Sequence, residues 1–171
     1  MLWINLLKQI VMMLQSEISP KQIAAGAALG MIMGFTPAGC LHSYLLLVLI
    51  LMVNVNIGSA TLSAGIFALL GLLLDPLADK IGYYLLVRSD ALTPFWTNLY
   101  NLPIVPFTRF NNTIVLGSFV ISLILVIPVY IFALKFINLY RARWKDKVAQ
   151  WKIMKLFKFT AAYNVYDKYQ Q

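Results

Sequence analysis

Acidic residues, cysteine and histidine are scarce in this chain of 171 residues, which has six Asp and Glu, one cysteine and one histidine. The single cysteine, Cys40, excludes a disulfide framework and a thiolate metal site, both of which need a second sulfur, and leaves a small buried apolar residue. His42, the lone histidine, has no second imidazole with which to build a metal site. Charge of either sign is thin: 12% of residues are charged against 61% hydrophobic, and no Asp, Glu, Lys or Arg occurs from position 22 to 74 or from 110 to 134. Soluble domains carry about 25% charged and about 45–50% apolar residues, so this composition points to hydrocarbon surroundings. The formal charge of +8 would suggest nucleic acid in a soluble chain. Here the hydropathy overrules it, and nucleic acid is not an expected partner. With so few acids there is no paired-carboxylate arrangement, and no nucleophile elbow, phosphate loop or dinucleotide fingerprint occurs. No catalytic residue, cofactor or metal is expected.

Trp3, Leu6, Leu7, Ile10, Val11 and Leu14 recur at helical spacing opposite Asn5, Lys8, Gln9 and Gln15, which predicts an amphipathic interfacial helix within residues 1–18. This N-terminus lacks a basic region ahead of its apolar run and a small-residue cleavage site, and is read as uncleaved. Ser19-Pro20-Lys21-Gln22 supplies a hydroxyl cap, Pro at the first helical position and Gln at the third. The helix it opens ends near Phe35, where Thr36-Pro37-Ala38-Gly39 must turn. At 1.5 Å per residue this arm rises about 21 Å, short of a hydrocarbon core of about 30 Å. The next arm, Cys40 to Val53, is equally short before Asn54-Val55-Asn56-Ile57-Gly58 interrupts it. Two half-length helices joined in this way predict a re-entrant hairpin over 20–53 that enters and leaves by one face; the alternative is one kinked helix with a shallow neighbour.

Gly26, Gly30 and Gly34 strip one face of the first arm, and Ala60, Ala64 and Ala68 give the span at 57–74 a similar small face, so these two helices are expected to pack closely. Asp75-Pro76 is expected to cap a new helix, with Asp79 free to pair with Lys80. Thr93-Pro94 repeats that device and opens an aromatic stretch broken by Pro103 and Pro106. The whole segment 75–112 is expected to be interfacial or re-entrant. A full span follows over 113–137, with a kink at Pro128.

From Lys135 onward nine Lys and Arg oppose Asp146 and Asp167, which by the positive-inside rule puts the tail, 140–171, in the cytoplasm together with the N-terminus. In that tail Arg141, Arg143, Lys145, Lys147, Lys152, Lys155 and Lys158 interleave with Trp144, Trp151, Phe157 and Phe159, a pattern suited to anionic lipid headgroups, with docking onto a partner protein as the alternative. Residues at the breaks, Thr36, Pro37, Gly39, His42, Asn54, Asn56, Arg109, Asn111 and Asn112, are candidates for re-entrant tips or a polar pathway. His42 is either part of such a pathway or a satisfied structural residue. Arg109 is either an interfacial anchor or the charged member of a second re-entrant tip. The expected fold is therefore an all-α integral membrane protein: interfacial N-terminal helix, re-entrant helical hairpin, about two full spans, broken aromatic segment and basic C-terminal helix.

Through Ser19-Pro20, Ile23-Ala24, Gly26, Ala28, Gly30, Gly34-Phe35, Pro37 and Leu41-His42, continuing to Leu116-Gly117-Ser118, the sequence resembles an uncharacterised family of small bacterial inner-membrane proteins. The run Thr108-Arg109-Phe110-Asn111-Asn112-Thr113 resembles a narrower branch, from bacteria with outer membranes, typically encoded beside one large envelope protein. The resemblance implies a cytoplasmic-membrane location and a large envelope protein as partner. A second likeness, of Gly34-Phe35-Thr36-Pro37 and Pro106-Phe107-Thr108-Arg109, is to membrane proteins with facing re-entrant hairpins, lipid scramblases among them. The expected function is a non-enzymatic inner-membrane subunit that works with the envelope protein in lipid transport between inner and outer membranes. The alternatives are a stand-alone transporter or lipid scramblase, and a passive membrane anchor or assembly scaffold. Membrane lipids are the other expected partner, and the small-residue faces would also serve a homo-oligomer.

Overall fold

The computed structural model of the chain describes residues 10, 11 and 13–150. Among these residues every regular element is helical: α1 (Pro20–Phe35), α2 (Leu41–Met52), α3 (Ile57–Tyr83), α4 (Thr93–Tyr100), α5 (Thr113–Arg143) and α6 (Lys145–Ala149). Residues 10, 11 and 13–15 are helical as well. The rest of the expected interfacial helix, with Trp3, Leu6 and Leu7, and the expected headgroup residues Lys152, Lys155 and Lys158 lie outside the described residues. Ser19–Leu134 form one compact unit, and the described residues flanking that range form a second.

Pro20 starts α1 where its missing N–H costs nothing. The expected hydroxyl cap does not form: Ser19 makes no side-chain cap bond, and its carbonyl accepts from the Gln22 and Ile23 amides at 3.0 and 3.2 Å. Gln22 does not reach back either, because its side-chain amide donates to Asn54 Oδ1 at 2.7 Å. At the other end Thr36 leaves helical geometry, and the Ile32 carbonyl accepts both its N–H at 3.2 Å and its hydroxyl at 2.6 Å. The chain then turns and returns as α2.

α3 runs parallel to α1. Asn56 N–H donates to the Gln22 carbonyl at 3.1 Å, and the hydroxyls of Ser59 and Ser63 donate to the carbonyls of Ile23 and Ala27, each at 2.6 Å. Both helices advance by four residues between the two serine bonds, which fixes direction and register. Such closeness is possible because α1 has no side chains there: a Cβ on Gly26 would stand 2.5 Å from the Asn56 carbonyl oxygen, and one on Gly30 or Gly34 would collide with the carbonyl of Ala60 or Ala64. Gly71 meets the Phe35 ring, so the α1–α2 turn lies level with this part of α3, which continues past it to Tyr83.

The expected break at Asp75-Pro76 is absent, and α3 passes through Pro76. A mid-helix proline removes one hydrogen bond and crowds a carbonyl, but here the residues after it are clamped to α5. A Cβ on Gly117 would collide with the Ala78 carbonyl, and one on Gly82 with that of Thr113. These pairs run in opposite senses, so α5 is antiparallel to α3. Asp79 does not turn to Lys80: its carboxylate accepts a hydrogen bond from the Thr113 hydroxyl across the same crossing. α5 then descends along the hairpin, where Phe119, Leu125, Val126 and Val129 pack around buried Met31, Ile32 and Phe35. Phe35 also meets Phe67 edge to face at a centroid separation of 5.0 Å.

Two helical stretches, Ile57–Arg88 and Thr113–Arg143, are long and apolar enough to cross a membrane. Only 22% and 28% of their most apolar windows are buried within the protein. Leu69, Leu72, Leu73, Ile124 and Ile127 face outward, as do Leu45, Val48 and Met52 on α2.

In the second unit, Leu14, Ile137 and Val148 are buried. Arg141 donates through Nε to the Leu14 carbonyl at 3.1 Å and through Nη2 to the Ser16 carbonyl at 2.7 Å. Lys145 Nζ pairs with Glu17 Oε1 at 2.9 Å.

Candidate functional site

The two proline-bearing breaks of Ser19–Leu134 meet. One is the turn from Thr36 to Cys40, in which Gly39 takes a φ of 87°, a left-handed conformation that costs glycine nothing. The other is the 3-10 turn Val105–Thr108, which ends on Arg109 at a φ of 56°. Left-handed backbone is unusual for arginine. It is held here by bonds on both sides, since Arg109 N–H donates to the Pro106 carbonyl at 2.9 Å and Asn112 N–H donates to the Arg109 carbonyl at 3.0 Å. Arg109 Nη1 lies 3.9 Å from where a Cβ on Gly39 would stand.

Beside this junction is a cavity of about 270 Å³ lined by His42, Trp96, Leu99, Val105, Thr108, Phe110, Val115, Leu116 and Phe119. Its walls come from α2, α4, the 3-10 turn and the start of α5. His42 lies in the first turn of α2, 5.0 Å between ring centroids from Phe119 of α5. α4 brings Trp96, which donates Nε1–H to the Leu85 carbonyl at 2.8 Å and stacks on Phe110 at 5.6 Å. Asn112 then opens α5 by accepting the Val115 N–H at 3.1 Å, which fixes Val115 and Leu116 at the wall. The pocket is apolar, with His42 and Thr108 at its polar edge. Its chemistry is that of holding a hydrophobic segment, and among the described residues no three metal-ligand side chains converge.

The chain matches, over residues 6–145, the family described as an uncharacterized protein conserved in bacteria (DUF2062). It belongs to that family. An uncharacterized protein of Treponema pallidum (strain Nichols) is 28% identical over 135 residues, covering 79% of this chain and 83% of that protein. No solved structure matches.

The residues singled out in the sequence fall in separate places. Thr36, Pro37, Gly39, His42 and Arg109 gather at the junction, with Asn112 as the α5 cap and Asn111 exposed beside it. Asn54 and Asn56 stand at the opposite end of α1. Asn54 accepts from Gln22, and Asn56 caps α3 by accepting the Ser59 N–H at 2.6 Å. A single polar pathway joining all of these residues is therefore not what the fold assembles. Gly26, Gly30 and Gly34 face Ala60, Ala64 and Ala68 across the α1–α3 contact. Of the basic residues expected at headgroups, Arg141 and Lys145 hold Leu14, Ser16 and Glu17, while Arg143 and Lys147 are exposed. Val115, Leu116 and Phe119 are cavity walls that no sequence motif marks. Their spacing of i, i+1 and i+4 does put them on one side of α5, but an apolar helix offers many such sets.

Proposed function

We propose that this chain is a non-enzymatic integral subunit of the bacterial inner membrane that works with a large envelope protein in moving lipid between the inner and outer membranes. The observation that carries the reading is the meeting of two broken segments, one ending at Gly39 and the other at Arg109, beside an apolar cavity. Irregular backbone at membrane depth is tolerated where it is buried in protein or lines a cavity, and broken helices in facing positions mark the binding sites of membrane transporters. In this reading α1 and α2 form a re-entrant hairpin, α3 and α5 are the spans, and both termini are cytoplasmic beside the basic tail. The outward apolar faces of α2, α3 and α5 support membrane insertion, because the core helix of a soluble domain hides most of its apolar surface.

The same junction favours a second reading, a stand-alone lipid transporter or scramblase, since it lies wholly within one chain. Affinity purification of the tagged native protein in mild detergent, followed by mass spectrometry, separates the two. A large envelope protein recovered in stoichiometric amount establishes the subunit reading. Recovery of the chain alone, with lipid flux in proteoliposomes, establishes the second. Recovery alone without flux overturns both and leaves a passive anchor.

A further inference from the structure

We propose that Arg109 and the N-terminus of α2 together bind a phosphate group, and that the phosphate is that of a phospholipid headgroup. The source of the phosphate rests on the lipid-handling reading; the anion site itself does not. Arg109 is exposed beside the Gly39 turn and forms no ion pair among the described residues. The ion pair among the described residues is Lys145–Glu17, and Asp79 is engaged by Thr113. Its backbone is fixed by the Pro106 and Asn112 bonds, and its guanidinium lies beside the Gly39 turn, with Nη1 3.9 Å from where a Cβ on Gly39 would stand.

That turn leads into a helix end without a cap. Cys40 occupies the N-cap position of α2 and makes no side-chain cap bond; its carbonyl accepts the Ser43 N–H at 3.0 Å, and the positive end of this 12-residue helix has no side-chain acceptor. An N-terminus of this kind is suited to an anion, and an arginine fork matches phosphate oxygens two at a time.

A second, independent sign lies one turn inside α2. Among the described residues the buried hydroxyls of Thr36, Ser59, Ser63, Ser118 and Ser122 each donate to a backbone carbonyl. Ser43 is 8% exposed and its hydroxyl has no partner. Ser43 stands in the first turn of α2, where the tilt of helical Cα–Cβ bonds places its Cβ toward the N-terminal end. Nε2 of the adjacent His42 is also buried without a partner. A buried donor left unmade is costly, and a phosphate oxygen at this end would satisfy it. The apolar cavity beside His42 and Thr108 would then receive part of an acyl chain.

The test is native mass spectrometry of the full chain in mild detergent, titrated in separate arms with phosphatidylglycerol, with diacylglycerol of the same chains, and with inorganic phosphate. Wild type should retain phosphatidylglycerol and bind diacylglycerol at least about tenfold more weakly, and Arg109→Gln should lose about ten- to a hundredfold in phosphatidylglycerol affinity, as expected for hydrogen bonds to a charged group. Ser43→Ala and Arg109→Lys, which keep the local packing, should each lose less and carry the test if Arg109→Gln does not fold. Inorganic phosphate that binds as tightly as the lipid would overturn the headgroup as source. Equal retention of phosphatidylglycerol by wild type, Arg109→Lys and Arg109→Gln, or equal binding of diacylglycerol, would overturn the site. Lipid flux and partner recovery are read separately, so loss of phosphate binding with unchanged flux would retain the anion site while removing it from transport.

Discussion

The carbonyl of Ala78 in α3 sits directly against Gly117 of α5, with no room between them for a methyl group. Gly82 meets the Thr113 carbonyl in the same way, and the Asp79–Thr113 hydrogen bond closes the crossing. Gly117→Ala must therefore push backbone away from backbone, which no side-chain rotation can relieve. The expected cost is about 1–3 kcal/mol, typical of an overpacked site, read as a lower melting temperature in detergent. Gly65→Ala is the matched control, because nothing lies within 4 Å of the added carbon, and helix propensity alone should make it neutral or stabilising by up to about 1 kcal/mol. Equal melting temperatures for the two variants would show that the crossing is looser than the contact between Ala78 and Gly117 requires.

Gly39→Ala tests backbone rather than packing. The nearest atom to the new carbon is Arg109 Nη1 at 3.9 Å, so space is ample, but φ is 87°. Left-handed backbone costs a residue with a Cβ about 1–2 kcal/mol, and Gly39→Asn should cost less because asparagine tolerates this region better. Thermal unfolding of both variants checks the order; alanine melting at or above asparagine would contradict it.

Much of this architecture can be read in the sequence, and the parts that cannot share a cause. Thr36-Pro37-Ala38-Gly39 and Asn54–Gly58 declare the ends of α1 and α2 because proline and glycine act on their own backbone. Gly26, Gly30 and Gly34 announce a close face because spacing on one helix is a local property. Pro76 shows the limit: whether a proline ends a helix depends on what holds the residues beyond it, here Gly82 and Gly117 against α5. Asn54 and Asn56 resemble Thr36 and His42 as polar residues near breaks, yet they serve the opposite end of α1. The approach of Arg109 to Gly39 joins positions far apart in the chain, and in the sequence only the likeness of the two broken segments to facing hairpins points to it.

The serine ladder between α1 and α3 gives a third prediction. Ser59 and Ser63 donate to carbonyls that already accept within α1, so losing either hydroxyl leaves no acceptor unsatisfied. Ser59→Ala and Ser63→Ala should each cost about 0.5–1 kcal/mol, the scale of interhelical hydrogen bonds between membrane helices. The double variant should come close to the sum of the singles, because each bond stands alone. Unfolding in mixed micelles measures all three, and a double variant much worse than additive would show that the two bonds hold the register jointly.

The contact between Glu17 and Lys145 responds to acid. The Lys145 hydrogen bond, then its charge, hold the Glu17 carboxyl below its ordinary value. Because the folded value lies below the unfolded one, the contribution of the pair is complete above the ordinary carboxylate range and is lost as pH falls through the lowered value. Both groups are outside the apolar helices and Glu17 is solvent-exposed, so the effect on stability is small. The sensitive readout is the titration of a labelled Glu17 carboxyl by NMR: its midpoint should lie below that of an ordinary glutamate and rise toward it in Lys145→Ala, where the smaller pull of Arg141 remains. An unchanged midpoint in that variant would remove Lys145 as the cause.

The cavity supplies the prediction closest to function. Val105 lines it from the 3-10 turn and is only half-buried, so a larger apolar side chain there can enter empty space instead of a packed core. Overpacking is costly when neighbours must move, and a cavity of about 270 Å³ removes that need. Val105→Phe should therefore leave the melting temperature within about 0.5 kcal/mol equivalent of wild type, as for a substitution free of steric conflict. If the cavity receives part of a lipid chain, the same variant should slow phospholipid movement in proteoliposomes, or, if the partner is required, in liposomes containing both proteins. Leu69 on the outward face of α3 is the control position, where Leu69→Phe adds a ring without touching the cavity. Slower movement for Val105→Phe but not Leu69→Phe ties transport to this pocket; equal rates for both would separate the pocket from transport, whatever the phosphate site does.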